Sequence, residues 1–130
     1  DQEYLRIHPE TPKLYSHKPD GSEVVVYQPE FGTEEWQDIP TTLERGWGDC
    51  EDLACFRTAE LREMGIPAMP YIKWRKLFGQ YRFHALVQWP KRDPETGAWI
   101  EGTAGKIEDP SLRLGMKKWG AYLSSQESFK

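Results

Sequence analysis

The stretch Gly46-Trp47-Gly48-Asp49-Cys50-Glu51-Asp52-Leu53-Ala54 constrains this chain most, together with Gly65-Ile66-Pro67 eleven residues beyond it. Gly46 and Gly48 permit a tight backbone turn where a Cβ would clash. Asp49 is a good N-cap, able to accept from the free N–H groups of a first helical turn. Glu51 and Asp52 then stand where the helix dipole favours negative charge. Gly65 suits a left-handed C′ position, Ile66 its accompanying apolar contact, and Pro67 stops continuation. The stretch therefore predicts a helix from Cys50 to about Met64, with the cysteine at or beside its first residue. On a helical wheel Leu53, Ala54, Leu61 and Met64 fall within about 60° of Cys50, so the cysteine shares the inward face. Arg57 falls in the same apolar stripe, where its stem can cover the core and its head pair with a carboxylate.

A cysteine at a helix start has a chemical reading and a structural one. Exposed N–H groups there favour a thiolate and can hold an oxyanion forming on a carbonyl. A buried structural cysteine fits the same local pattern. The two cysteines, Cys50 and Cys55, point about 140° apart on one helix, so they do not form a disulfide with each other. Their spacing is also poor for zinc, and no metal or cofactor is expected.

With 130 residues, 38% hydrophobic and 13% aromatic, the chain suits one domain with one aromatic-rich core. The formal net charge of −4 gives no global attraction for nucleic acid. The basic clusters Lys73-Trp74-Arg75-Lys76 and Lys117-Lys118 read as solvated segments. No apolar run approaches the ~20 residues of a membrane helix, and no signal-peptide pattern is visible.

Residues 1–13, with Pro9 and Pro12, read as an irregular arm. Leu14–His17 and Glu23–Gln28 read as a hairpin about the turn Lys18-Pro19-Asp20-Gly21-Ser22. A capped turn is expected from Thr33, and a short helix from Asp38 to Gly46 with Pro40 near its start. Met69–Trp74 reads as a strand, followed by a loop over 76–80. Tyr81–Trp89 is the clearest strand: Tyr81, Phe83, Ala85, Val87 and Trp89 alternate onto one face, His84 onto the other. Trp99–Glu101 should return as its antiparallel partner, and Ile107–Ser111 ends the pattern at Pro110. A last helix over Leu112–Tyr122 and a frayed tail, 124–130, complete the chain. The expected fold class is α+β, an antiparallel sheet packed against the central helix.

A cysteine nucleophile needs a base and a third group to orient that base. Cys50, His84 and Asp109 supply the types in a workable order, forming a thiolate–imidazolium pair steadied by a carboxylate. Asp93, also before a proline, competes for the third role. Structural readings compete too: a strand histidine is often a core residue, and Asp before Pro a turn former.

Four motifs in order carry a resemblance: Gly-x-Gly-Asp-Cys-Glu-Asp-Leu-Ala at 46–54, Gly-Ile-Pro-Ala at 65–68, His-Ala-Leu-Val at 84–87 and Asp-Pro-Ser at 109–111. Over residues 40–116 the chain resembles the transglutaminase-like superfamily of papain-fold cysteine enzymes, in particular compact members from bacteria and phages, which Glu-Glu-Trp-Gln-Asp-Ile-Pro at 34–40 also resembles. The resemblance implies a Cys50–His84–Asp109 triad acting without metal on a protein or peptide amide, by transfer to an amine or by hydrolysis. It implies an oxyanion hole from the cysteine's own N–H and an upstream side chain, Gln37 and Trp36 before Trp47. The net charge and the lack of a long apolar run point to no nucleic-acid or membrane partner, the free thiols to a reducing, cytoplasmic setting, and the resemblance to a bacterium or phage-infected host, with virion association as a variant. The sequence departs from the family at Met69, where many members are basic, and in the extra residues 102–106. Two other classes of function stay open: a catalytically silent module that kept the fold as a binding surface, and a metal site at Cys50, His84 and Asp109.

Overall fold

The computed structural model describes residues 1–29 and 37–116. These form an α+β fold with four helices and small sheets. The central helix α3 (Cys50–Glu63) has Asp49 as N-cap, accepting from the Asp52 N–H at 3.0 Å. Asp52 reaches back to the Asp49 N–H at 3.1 Å, closing a capping box. The helix ends where foreseen, with Gly65 at φ 87°. Ahead of it, α2 (Ile39–Arg45) is capped by Asp38 accepting from Thr41 N–H, and Gly46 ends it at φ 79°. Gly48 is required for a different reason. A Cβ there would lie 3.0 Å from the Asp52 Cβ and 3.2 Å from Leu53 Cδ2, so the chain entering α3 packs against its first turn.

Strands β3 (Met69–Leu77) and β4 (Gln80–Gln88) form a long antiparallel hairpin turned at Phe78-Gly79, both with positive φ. The loop expected over 76–80 shrinks to those two residues, as a tight hairpin turn requires. β4 also pairs with β7 (Ile107–Glu108), giving the order β3-β4-β7. The partner expected for β4, Trp99–Glu101, pairs elsewhere: β6 (Trp99–Ile100) joins β5 (Lys91–Arg92) in a separate two-stranded sheet. Gly105 explains the switch. A Cβ at Gly105 would meet the Pro90 carbonyl oxygen at 2.4 Å, so only glycine lets the chain close on the end of β4 and deliver β7 to it.

Three further expectations change. Residues 1–13 do not run as an irregular arm throughout, because α1 (Gln2–Ile7) packs on α3 with Leu5 buried. The 14–28 hairpin reduces to one bridge, His17 to Glu23; β1 (Val26–Tyr27) instead runs parallel to β2 (Trp47–Gly48). The final helix α4 is described only over Pro110–Arg113. The turn expected at Thr33, and the part of the last helix and tail beyond 116, lie outside the described residues.

α3 is buried on two faces, not one. Ala54 and Leu61 pack with Ala68, Ala85 and Val87 of the sheet side, and Cys50 borders this cluster. Leu53, Phe56 and Ala59 pack with Leu5, Leu14, Val25, Ile39 and Leu114. Met64, expected inside, is 56% exposed. α1 and the segment after it cover the second face, so the single-stripe wheel misses Phe56 and Ala59.

Arg57 pairs its head with carboxylates, as its position in the stripe foreshadows. Its Nε donates to Glu108 at 2.8 Å and its Nη1 to Glu60 at 3.3 Å. Glu60, itself buried, accepts the Leu14 N–H at 2.8 Å. Glu108 also accepts from Tyr15 OH and, at 3.0 Å, from Trp89 Nε1. Burial alone would raise the Glu108 carboxyl, but these donors hold it below its usual range. The network ties β7, and so Asp109, to the middle of α3. Arg57→Ala would leave both carboxylates without their cation. We expect a loss of about 3 kcal/mol, read from the shift of the urea midpoint at constant slope.

Candidate active site

Three elements meet at one end of α3. Cys50 is the first residue of the helix, and its own N–H is among those without an intrahelical acceptor. The backbone N–H groups of Ala85 on β4 and of Glu51 lie by the Cys50 thiol and act to lower it. The sulfur thus sits against β4 at the residue that follows His84. His84 is buried, and its Nε2 is 2.9 Å from Asp109 Oδ2. Asp109 holds both roles that its sequence context allows. Oδ2 engages the imidazole, while Oδ1 accepts the Leu112 N–H at 3.1 Å and caps α4. The cap fixes the carboxylate and the carboxylate fixes the ring.

Asp93 is placed elsewhere. It accepts from the N–H groups of Glu95 and Thr96 in the turn joining β5 to β6. Asp109, not Asp93, is the carboxylate beside His84, because β7 and not β6 lies next to β4.

The electrostatics reverse one expectation. The helix start was expected to favour the thiolate. Instead burial pushes the Cys50 thiol up to about 11; Ala85 N–H pulls it down, and the carboxylates of Asp49 and Glu51 push it up again. The residues that cap the helix supply the charge that offsets its dipole. Cys55 is raised to about 11 as well, first by burial and then by Glu51, Asp52 and Asp49. The resting form of Cys50 is a thiol. Alkylation of Cys50 by iodoacetamide should rise through an inflection near pH 11 and not near the ordinary thiol value.

Gln37 is buried, and both polar atoms of its side chain and its N–H are hydrogen-bonded. Its Nε2 donates to Thr42 Oγ1 at 3.3 Å and to the Trp47 carbonyl at 2.9 Å; Oε1 accepts from Arg45 at 2.5 Å, and its N–H donates to Asp52 at 3.0 Å. Both amide hydrogens are committed to the turn that leads into α3. Trp36 lies outside the described residues. The Trp47 indole stacks with Arg45, 5.3 Å from its guanidinium carbon. Asp52 is raised to about 7, chiefly by burial, while the Gln37 and Asp49 N–H groups pull it down. Sequence reasoning overlooked Asp52 and Glu108 as supports of the site. The capping-box spacing was the available signal for the first; the second had none.

Cys55 faces a different environment. With Gln37, Thr58, Ala59, Arg62 and Pro70 it lines a cavity of about 450 Å³. Among the described residues no three His, Cys, Asp or Glu side chains converge as metal ligands, and no helix is long and apolar enough to cross a membrane.

No protein-family model, curated protein or solved structure matches the chain.

Proposed function

We propose that this chain is a cysteine-dependent enzyme of the transglutaminase-like type, with a papain-like core, acting on a protein or peptide amide. One observation carries the reading: a buried histidine, oriented by a capped aspartate, on the strand whose next N–H contacts a helix-start thiol. Asp109 occupies Nε2, so the thiol proton passes to Nδ1 as Sγ attacks the amide carbonyl. The new C–S bond forms a tetrahedral oxyanion, toward which the Cys50 N–H can donate. The Nδ1 proton then goes to the leaving nitrogen, the C–N bond breaks, and a thioester remains. An amine or water, deprotonated by His84, attacks it and releases Cys50. No metal or cofactor enters these steps. The free thiols of Cys50 and Cys55 suit a reducing, cytoplasmic setting in a bacterium or its phage-infected host.

Incubation with a glutamine-bearing protein and a fluorescent primary amine tests transfer, and cleavage of peptide libraries tests hydrolysis. Label or cleavage that depends on Cys50 supports the reading. A second reading draws on the raised thiol and the committed Gln37 amide: a transglutaminase-like module that has kept the fold as a binding surface. Absence of both products, with the fold intact, would favour it.

A further inference from the structure

The segment that presents Asp109 to His84 has little support of its own. β7 is two residues long and makes two register pairs with β4, Val87–Glu108 and Gln88–Ile107. α4, which follows, is four residues long. Asp109 stands between them, and its Oδ2 has to meet His84 Nε2 at 2.9 Å. So short a ladder opposes fraying weakly, because few bonds and little burial hold it. Side chains hold this segment instead, on either side of Asp109.

Tyr15 meets both sides. Its hydroxyl donates to Glu108, the residue before Asp109. Its ring lies against Arg113, whose guanidinium carbon is 4.4 Å from the ring centroid. The Arg113 N–H donates to the Asp109 carbonyl at 3.1 Å, so this second contact reaches the far end of the same turn. Arg57 closes the group. Its guanidinium carbon is 4.9 Å from the Tyr15 ring, and its Nε donates to Glu108. Tyr15 is itself anchored on α3. Leu14, fully buried before it, donates its N–H to Glu60 at 2.8 Å, and the Tyr15 ring packs on the cluster of Leu5, Leu53 and Phe56.

Burial, and then the bond to Glu108, push the Tyr15 hydroxyl well above the ordinary phenol range, so its hydrogen is always there to donate. Balancing the Glu108 charge does not require that hydrogen. Glu108 already accepts from Arg57 on α3 and from Trp89 at the end of β4. What the third donor adds is direction, since it comes from the turn at Leu14-Tyr15 and from neither of those elements.

We propose that Tyr15 is the positioning residue for Asp109, holding the chain before it through Glu108 and after it through Arg113, and so setting the His84–Asp109 bond. As a statement about turnover this rests on the acyl-transfer reading; as a statement about the bond it does not. Placement on this scale matters, because a shift of about 1 Å at a catalytic group can cost about 10²-fold in rate.

Two measurements on full-length protein test it. Tyr15→Phe keeps the ring and removes only the donor; Arg113→Ala keeps the donor and removes the second contact at an exposed side chain. The first measurement is magnetic resonance of the His84 Nε2 proton in protein carrying isotope-labelled histidine. In unaltered protein the bond to Asp109 should protect this proton from exchange with water. Tyr15→Phe should speed the exchange at least about tenfold, and Arg113→Ala should act in the same direction. The second is turnover. Tyr15→Phe should lower kcat about tenfold with KM unchanged. In the Asp109→Asn background the same substitution should have no further effect, because a residue acting through the carboxylate then has nothing to act on. A merely structural tyrosine would lower kcat equally in both backgrounds, and that result overturns the proposal. So does an Nε2 proton that exchanges at the same rate in both variants as in unaltered protein. Should Tyr15→Phe not fold, Arg113→Ala carries both measurements. Faster exchange in Tyr15→Phe without any turnover by unaltered protein upholds the positioning role and fails the acyl-transfer reading; turnover, with exchange and kcat both unmoved by Tyr15→Phe, does the reverse.

Discussion

Cys50→Ala should all but abolish amide turnover while leaving the protein as stable as before. The thiol lies at the edge of the apolar cluster of Ala54, Leu61, Ala68, Ala85 and Val87, and its loss opens little space there. Its polar neighbours are the Ala85 and Glu51 backbone N–H groups, and N1 needs no side chain for the helix to start, because Asp49 caps it. A nucleophile has no substitute in the sequence proposed, so the expected fall in kcat is about 10³-fold or more. Unfolding in urea, followed beside the activity assay, separates the two effects. Activity that survives in Cys50→Ala would place the chemistry on another group. Cys55→Ala is the control. It opens onto the cavity by Thr58 and Arg62, away from His84, and should leave turnover within a factor of about two.

Asp109→Asn should give the second largest effect and isolates what the carboxylate does. Asparagine caps a helix as well as aspartate, so the bond to Leu112 N–H survives and stability changes by less than about 1 kcal/mol. The bond to His84 Nε2 changes character. An amide can accept from the ring N–H, but it does not stabilise the imidazolium that forms when the thiol proton arrives. Loss of that charge lowers kcat by about 10²- to 10⁴-fold with little change in KM. Asp109→Ala loses the cap too, and should cost about 1 kcal/mol more in stability than the asparagine variant. Equal stability of the two variants would mean that the cap contributes nothing; full activity in Asp109→Asn would mean that Asp109 is a cap alone.

Much of what positions the site was legible from local chemistry. Asp38, Pro40 and Gly46 bound α2, and Asp49, Asp52 and Gly65 bound α3, because caps act over three or four residues. The alternation of Tyr81 through Trp89 marked β4 over its whole length. What was not legible depends on partners distant in sequence. β1, β2, β5, β6 and β7 are two residues each, too short to carry a period. β6 reads like a partner of β4, yet the contacts of Trp99 with Arg92 at 4.3 Å and Trp89 at 5.8 Å hold it on the local hairpin. α1 lacked a visible apolar stripe; Leu5, with Tyr4 packed on the same cluster, anchors it on α3. The direction of the thiol shift was missed for a related reason. The sequence displays the helix dipole and the capping carboxylates together, but burial decides between them, and burial comes from β4.

The two thiols offer the most direct test of the central claim, since both are raised to about 11 and only Cys50 lies by Ala85, the residue after His84. Full-length protein is treated near neutral pH with an activated acyl ester and the adducts are located by mass spectrometry of peptides. If His84 removes the proton as the sulfur attacks, acylation falls on Cys50, spares Cys55, and disappears in His84→Ala. Acylation of both cysteines at similar rates, or of Cys50 regardless of His84, would contradict it.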